Sequence, residues 1–196
     1  MAMKLSRTCK ILLLGANIWY FGEGMMGPLF AIFAERVGGN ILDITWAWAT
    51  YLMVTGVLYI LVGRLLARKG NLNREGFKEK VLVLGYCLNA VFTFGYLFVH
   101  SSIELFFVQA GLGVAEAIGT PAWDALYAKN INPEVQPYAW GLSTGQAQIV
   151  SGLAFILGGL IAHFISFAAL FITMGVIQGI AALITSQILI RRSNST

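Results

Sequence analysis

Of the 196 residues, 58% are hydrophobic and only 11% are charged, where a soluble domain carries roughly a quarter. With a mean hydropathy of +0.75, this balance excludes a soluble globular domain and predicts an all-α integral membrane protein. The net charge of +4 does not call for a nucleic acid partner, because the basic residues flank apolar runs at the level of anionic lipid headgroups.

A membrane-spanning helix needs about 20 mostly apolar residues, and six runs supply them: about 11–34, 44–66, 81–99, 104–127, 139–162 and 165–190. The first follows Lys4, Arg7 and Lys10 but outruns a signal peptide's short apolar region and offers no small-x-small cleavage site, so it is expected to be a retained first helix. Within it Glu23 is followed five residues later by Pro28. Between the second and third runs lies the longest polar stretch, Arg68 to Lys80. The fourth run repeats the acid and proline as Glu116 and Pro121. Read as one helix, Val135 to Ile190 would extend ~84 Å, so the chain must turn back near His163–Ser166. That connection and His100–Ser102 are short, which predicts antiparallel hairpins for runs three and four and for runs five and six. Arg191 and Arg192 form a stop signal. The whole reads as a single six-helix transmembrane domain, 1–196.

With both termini inside, twelve of the 13 basic residues fall on the cytoplasmic side and only Arg36 falls outside, which orients the chain. Cys9 and Cys87 are expected to be separate reduced thiols. No cofactor is implied, and neither thiol suggests a metal.

If runs one to three and four to six are two triplets, about 8–99 and 103–190, Glu23-Gly-Met-Met-Gly-Pro28 aligns with Glu116-Ala-Ile-Gly-Thr-Pro121. An odd number of spans separates them, so the repeats are inverted, a pattern of secondary transporters. Glu23 lies ~18 Å and Glu116 ~20 Å into the membrane from opposite sides. Pro28 and Pro121 are expected to break the helices, freeing the carbonyls of Gly24 and Ala117 beside the two acids. Carboxylate and free carbonyl together suit a proton, sodium or an organic cation. Low-dielectric surroundings disfavour the charged carboxylate, which suits reversible protonation.

Helical spacing aligns Gln109, Glu116, Thr120, Trp123 and Tyr127 in run four, and places Trp19 and Tyr20 one turn before Glu23. Run five contributes Thr144, Gln148, Ser151 and Phe155. An acidic, aromatic-lined cavity favours a small cationic solute. Trp46, Trp48 and Trp140, near helix ends, read as interfacial anchors. The rows Gly145, Gly152, Gly159 and Gly111, Ala115, Gly119 predict close helix packing, and Asn89 with Thr93 predicts an interhelical hydrogen bond. Gly141-Leu142-Ser143-Thr144-Gly145 fits a nucleophile pattern, but His163 lies ~30 Å along the same run, out of reach of Ser143. The chain therefore does not read as an enzyme.

Ile44-Thr45-Trp46, the stretch Gly63-Arg64-Leu65-Leu66-Ala67-Arg68-Lys69-Gly70, and Gly111-x-Gly113 through Pro121 resemble one half of a major facilitator superfamily transporter. The loop signature is carried by Gly63, Arg64, Arg68 and Gly70, and departs from the family at Ala67, usually aspartate, and Asn71, commonly basic. The family's glycine-proline pair in helix 5 is absent, Gly158-Gly159 being nearest. The resemblance implies that helices 1, 2, 4 and 5 line a central cavity, and that two six-helix halves pair about an axis along the membrane normal. The expected function is secondary active transport coupled to a proton or cation, in the plasma (inner) membrane. The expected partner is a second copy in a parallel homodimer, or another six-helix half. Alternatives are a membrane assembly subunit that moves nothing and a half cut from a longer transporter.

Overall fold

The computed structural model describes residues 5–68 and 76–193. Seven α-helices account for most of them: α1 Arg7–Gly24, α2 Leu29–Arg36, α3 Ile41–Ala67, α4 Phe77–Gly95, α5 Ser102–Asn130, α6 Gln136–Phe164 and α7 Phe167–Ser193. Short 3-10 turns close α4 and open α6. Gly70, the last residue of the expected loop signature, lies outside the described residues. Gly63, Arg64 and Arg68 sit at the end of α3, with both arginines exposed.

Local chemistry sets the boundaries. The Ser6 hydroxyl accepts the Cys9 amide at 3.1 Å and starts α1. At α3 the Asn40 side chain accepts the Leu42 and Asp43 amides, while Asp43 accepts the Asn40 amide at 2.9 Å. This reciprocal cap satisfies donors a helix start leaves orphaned. Before it, Gly38 turns the chain with φ +84°, a conformation open to glycine at no steric cost. Ser101 and Ser166 cap α5 and α7 in the same way.

Five stretches, corresponding to α3 through α7, are long and apolar enough to cross a membrane. The first apolar run, by contrast, is two helices. Between α1 and α2 residues 25–28 form turns, with the Met26 amide bonded to the Glu23 carbonyl at 3.2 Å and Leu29 to Met26 at 2.7 Å. Pro28 therefore acts as the sequence predicts. Pro121 does not, because α5 runs without interruption from Ser102 to Asn130 with the proline inside it. A lone proline removes one hydrogen bond, and α5 is packed on α4 along one side and α3 along another, which keeps the helix continuous through the defect.

The helices pack in the order α3, α5, α4, α7, α1, α6. Both expected hairpins are present in sequence, but α6 leans chiefly on α1 and only lightly on α7. At the α4–α5 crossing two glycines meet. A Cβ on Gly85 would stand 2.5 Å from the Gly119 backbone, whereas one on Gly119 would meet its nearest atoms at 3.6 Å, ordinary contact. Gly85→Ala is thus expected to destabilise by about 1–3 kcal/mol while Gly119→Ala is tolerated; thermal unfolding of the two variants in detergent compares them directly.

The interior has two storeys. One apolar cluster gathers Leu12, Trp19, Leu82, Tyr86, Trp123 and Tyr127; the other gathers Met25, Phe30, Tyr96, Leu105, Phe171 and Met174. Between them in chain order, on successive helices, fall Glu23, Thr55, Asn89, Thr93, Glu116 and Gln178. The Thr93 hydroxyl donates to the Gln178 side-chain carbonyl, joining α4 to α7. The expected interhelical bond is therefore made by Thr93, while the Asn89 carbonyl has no partner among the described residues.

Candidate functional site

Two cavities flank this polar layer. The first, about 260 Å³, is walled by Trp19 and Tyr20 of α1, Tyr86 of α4, Thr120, Trp123 and Asp124 of α5, and Trp140, Ser143, Thr144, Gln148 and Ser151 of α6. The second, about 240 Å³, is walled by Tyr20, Glu23 and Phe30, by Trp48 and Tyr51 of α3, by Asn89, Thr93 and Tyr96, by Gln109, and by Ser151, Phe155 and Gln178. Tyr20 and Ser151 belong to both walls.

The sequence-derived residues are thus divided. Trp19, Thr120, Trp123 and Gln148 surround the first cavity, while Glu23 and Gln109 surround the second. The expected single stripe on α5 is not one surface. Gln109 is 2% exposed in the second cavity's wall, Thr120 and Trp123 face the first, and Tyr127 is buried with its hydroxyl donating to the Ala139 carbonyl at 2.7 Å. Glu116 lines neither cavity. It sits in the seam between α5 and α3, where the Tyr51 hydroxyl donates to one carboxylate oxygen and the Tyr59 hydroxyl to the other, the latter at 2.9 Å.

Glu23 and Glu116 are nonetheless brought together, each within electrostatic reach of the other's neighbourhood, and Tyr20 senses both along with Tyr59 and Asp124. Among the described residues no basic side chain belongs to either cavity wall. Among the described residues no cluster of three or more His, Cys, Asp or Glu side chains could hold a metal. The arrangement offers carboxylates, phenols and amides around aromatic walls, which is equipment for binding and proton exchange.

Tyr51, Tyr59 and Asp124 were missed by sequence reasoning. The signal was the polar spacing Tyr51, Thr55, Tyr59 on an otherwise apolar helix, one face at i, i+4 and i+8. Two tryptophans read as interfacial anchors also belong to the site. Trp48 packs against Phe30 and Tyr51 in the second wall, and Trp140 packs edge-on to Trp123 and Tyr127 in the first. Trp46 remains 61% exposed.

The model of the Major Facilitator Superfamily matches residues 12–195. This chain belongs to that superfamily. Among its relatives is a "Proton-coupled antiporter flippase LtaA" of Staphylococcus haemolyticus, 26% identical over 178 residues, which are 87% of this chain and 43% of that protein. Proteins of the same name from two Staphylococcus epidermidis strains are 28% identical over 92 residues, 47% of this chain and 23% of theirs. The chain thus spans less than half the length of these relatives.

Proposed function

We infer that this chain is one six-span half of a proton-coupled secondary transporter, built as two inverted three-helix repeats with both termini cytoplasmic in the plasma membrane. The observation that carries the reading is Glu116, an acid within a membrane-length helix, held by two phenols and within electrostatic reach of Glu23, with no basic partner among the described residues. A structural carboxylate would be expected to meet a counter-ion; one held by neutral donors is free to exchange a proton. The coupling named for the staphylococcal relatives supports a proton over sodium. The acidic, aromatic walls favour a small cationic solute.

The half needs a partner, and a parallel copy supplies one. The spans containing α3 and α6 are 11% and 17% buried, against 39% to 44% for the other three. Gly56 and Gly63 on α3, and Gly141, Gly145, Gly152 and Gly159 on α6, have no atom within 4 Å of where a side chain would begin. The glycine row that the sequence assigns to close packing is therefore unused within the chain. In a membrane such rows serve helix–helix contact, and a two-fold axis along the membrane normal would bring these faces together. A distinct six-helix half remains the second reading, favoured by the greater length of the relatives.

Cross-linking in lipid should give an even-numbered oligomer of this chain alone. Gly152→Leu is expected to leave the single chain folded and to weaken pairing. A stable monomer competent in transport would sink the homodimer; pairing only with an added six-helix partner would select the second reading.

A further inference from the structure

The grip of α3 on α5 has an unusual chemistry. Tyr51, Thr55 and Tyr59 stand on one face of α3 at four-residue intervals, and all three hydroxyls point their hydrogens at one turn of α5: Thr55 donates to the Gly113 carbonyl at 3.3 Å, and the two phenols to Glu116. Gly113 lets the helices meet, since a Cβ there would lie 2.8 Å from the Tyr51 carbonyl oxygen. Away from this seam, α3 touches only α2 to any extent. The least buried of the spans thus meets the bundle along one seam with α5, and two of the three side-chain hydrogen bonds described across that seam end on a single carboxylate.

An ionised carboxylate only accepts, so both phenols can donate to it in charge-assisted bonds. Adding a proton changes the count. One oxygen becomes a donor, and the phenol that had donated to it must rotate to accept or let go; the other bond falls to neutral strength. The titratable groups around Glu116 are Tyr51 and Tyr59 from α3, Glu23 and Tyr20 from α1, and Asp124 farther along α5, with Tyr86 of α4 within reach of Glu23 and Asp124. None of these is a base that would hold the carboxylate charged after the phenols release it.

We propose that Tyr51, Glu116 and Tyr59 form a proton-operated latch, in which ionised Glu116 closes the seam between α3 and α5 and protonated Glu116 releases it. Tyr51 and Tyr59 are its positioning residues. The latch converts proton binding into movement of α3, the helix that carries Trp48 and Tyr51 in the wall of the second cavity. It deepens the transport reading and rests on Glu116 titrating.

The test uses the full chain in lipid nanodiscs, with Cys9 and Cys87 replaced by serine and spin labels on Met53→Cys and Phe107→Cys. Both positions are exposed, at 58% and 73%, and labelled chains are diluted with unlabelled ones. Infrared spectra follow the protonated carboxyl band in parallel. Between about pH 9 and about pH 5 the label distance should shift by about 2 Å or broaden, the scale of a packed helix sliding on its neighbour. Glu116→Gln should show one distribution at every pH. The Tyr51→Phe, Tyr59→Phe double variant should show the released distribution throughout, while its Glu116 still titrates. Titration of Glu116 with labels that do not move would overturn the latch and leave proton coupling standing. A double variant that keeps the pH response would do the same. Absence of any Glu116-dependent carboxyl band across this range would overturn both.

Discussion

Glu116→Gln is expected to reduce pH-gradient-driven flux to the level of empty vesicles while leaving the protein folded. Glutamine keeps the shape of the side chain. Its carbonyl accepts from one of the two phenols, while its amide stands where the hydroxyl of the neutral acid would be, so the side chain is fixed in the released form of the seam and the fold is kept. What is lost is the ability to take up and release a proton. Reconstituted vesicles with an imposed pH gradient and a panel of organic cations measure the flux, and circular dichroism checks the fold. A variant that transports with undiminished pH dependence would show that Glu116 is a structural acid. Tyr59→Phe separates the two roles further: it removes one donor at 2.9 Å and keeps the titrating group, so it should alter the pH profile without abolishing flux.

Gly158→Ala should cause the largest loss of stability of any glycine-to-alanine substitution in α6. At the point where α6 crosses the break between α1 and α2, a Cβ on Gly158 would stand 2.1 Å from the Met25 carbonyl oxygen and 2.8 Å from its carbonyl carbon and Cα. These are backbone atoms and cannot swing aside. Gly24 and Gly27 receive Ser151 and Phe155 of the same helix at similarly short range, so the clash would spread through the whole crossing. Overpacking of this kind costs about 1–3 kcal/mol, which for a chain of this size lowers the melting temperature by roughly 2–4 °C per kcal/mol. The adjacent residue is the control. Gly159 has nothing within 4 Å, and Gly159→Ala should leave the unfolding temperature of the single chain unchanged. Equal behaviour of the two variants would mean that α6 does not sit on the break as described.

The two prolines show where sequence reasoning stopped. Both follow a glutamate by five residues, and the local penalty is the same. Pro28 is preceded by Gly24 and Gly27, whose missing side chains admit α6 against a bent backbone; Pro121 lies in a helix supported by neighbours on two sides. Tertiary packing decided between a break and a continuous helix, and packing is not written in the interval between an acid and a proline. The five apolar spans were legible, because each depends on a run of residues along the chain. The partners of Glu116 were not. Tyr51 and Tyr59 sit in a run whose other aromatics read as lipid-facing, and only the face that α3 turns toward α5 distinguishes a hydrogen-bond donor from an anchor. The row Gly111, Ala115, Gly119 lies against α4 as expected, while Gly145, Gly152 and Gly159 have nothing within 4 Å, a difference that depends on the arrangement of all the helices at once.

Among the described residues the two cavities share only Tyr20 and Ser151 in their walls, so where they adjoin the septum between them is two side chains. One is a phenol and the other a hydroxymethyl group, and each can pass a hydrogen bond across without opening. Such a septum can hand on a proton while it shuts out a hydrated ion, because only the proton travels by exchange between hydroxyls. Separation of the two cavities thus depends on the bulk of Tyr20, and a smaller residue there would merge them into one space.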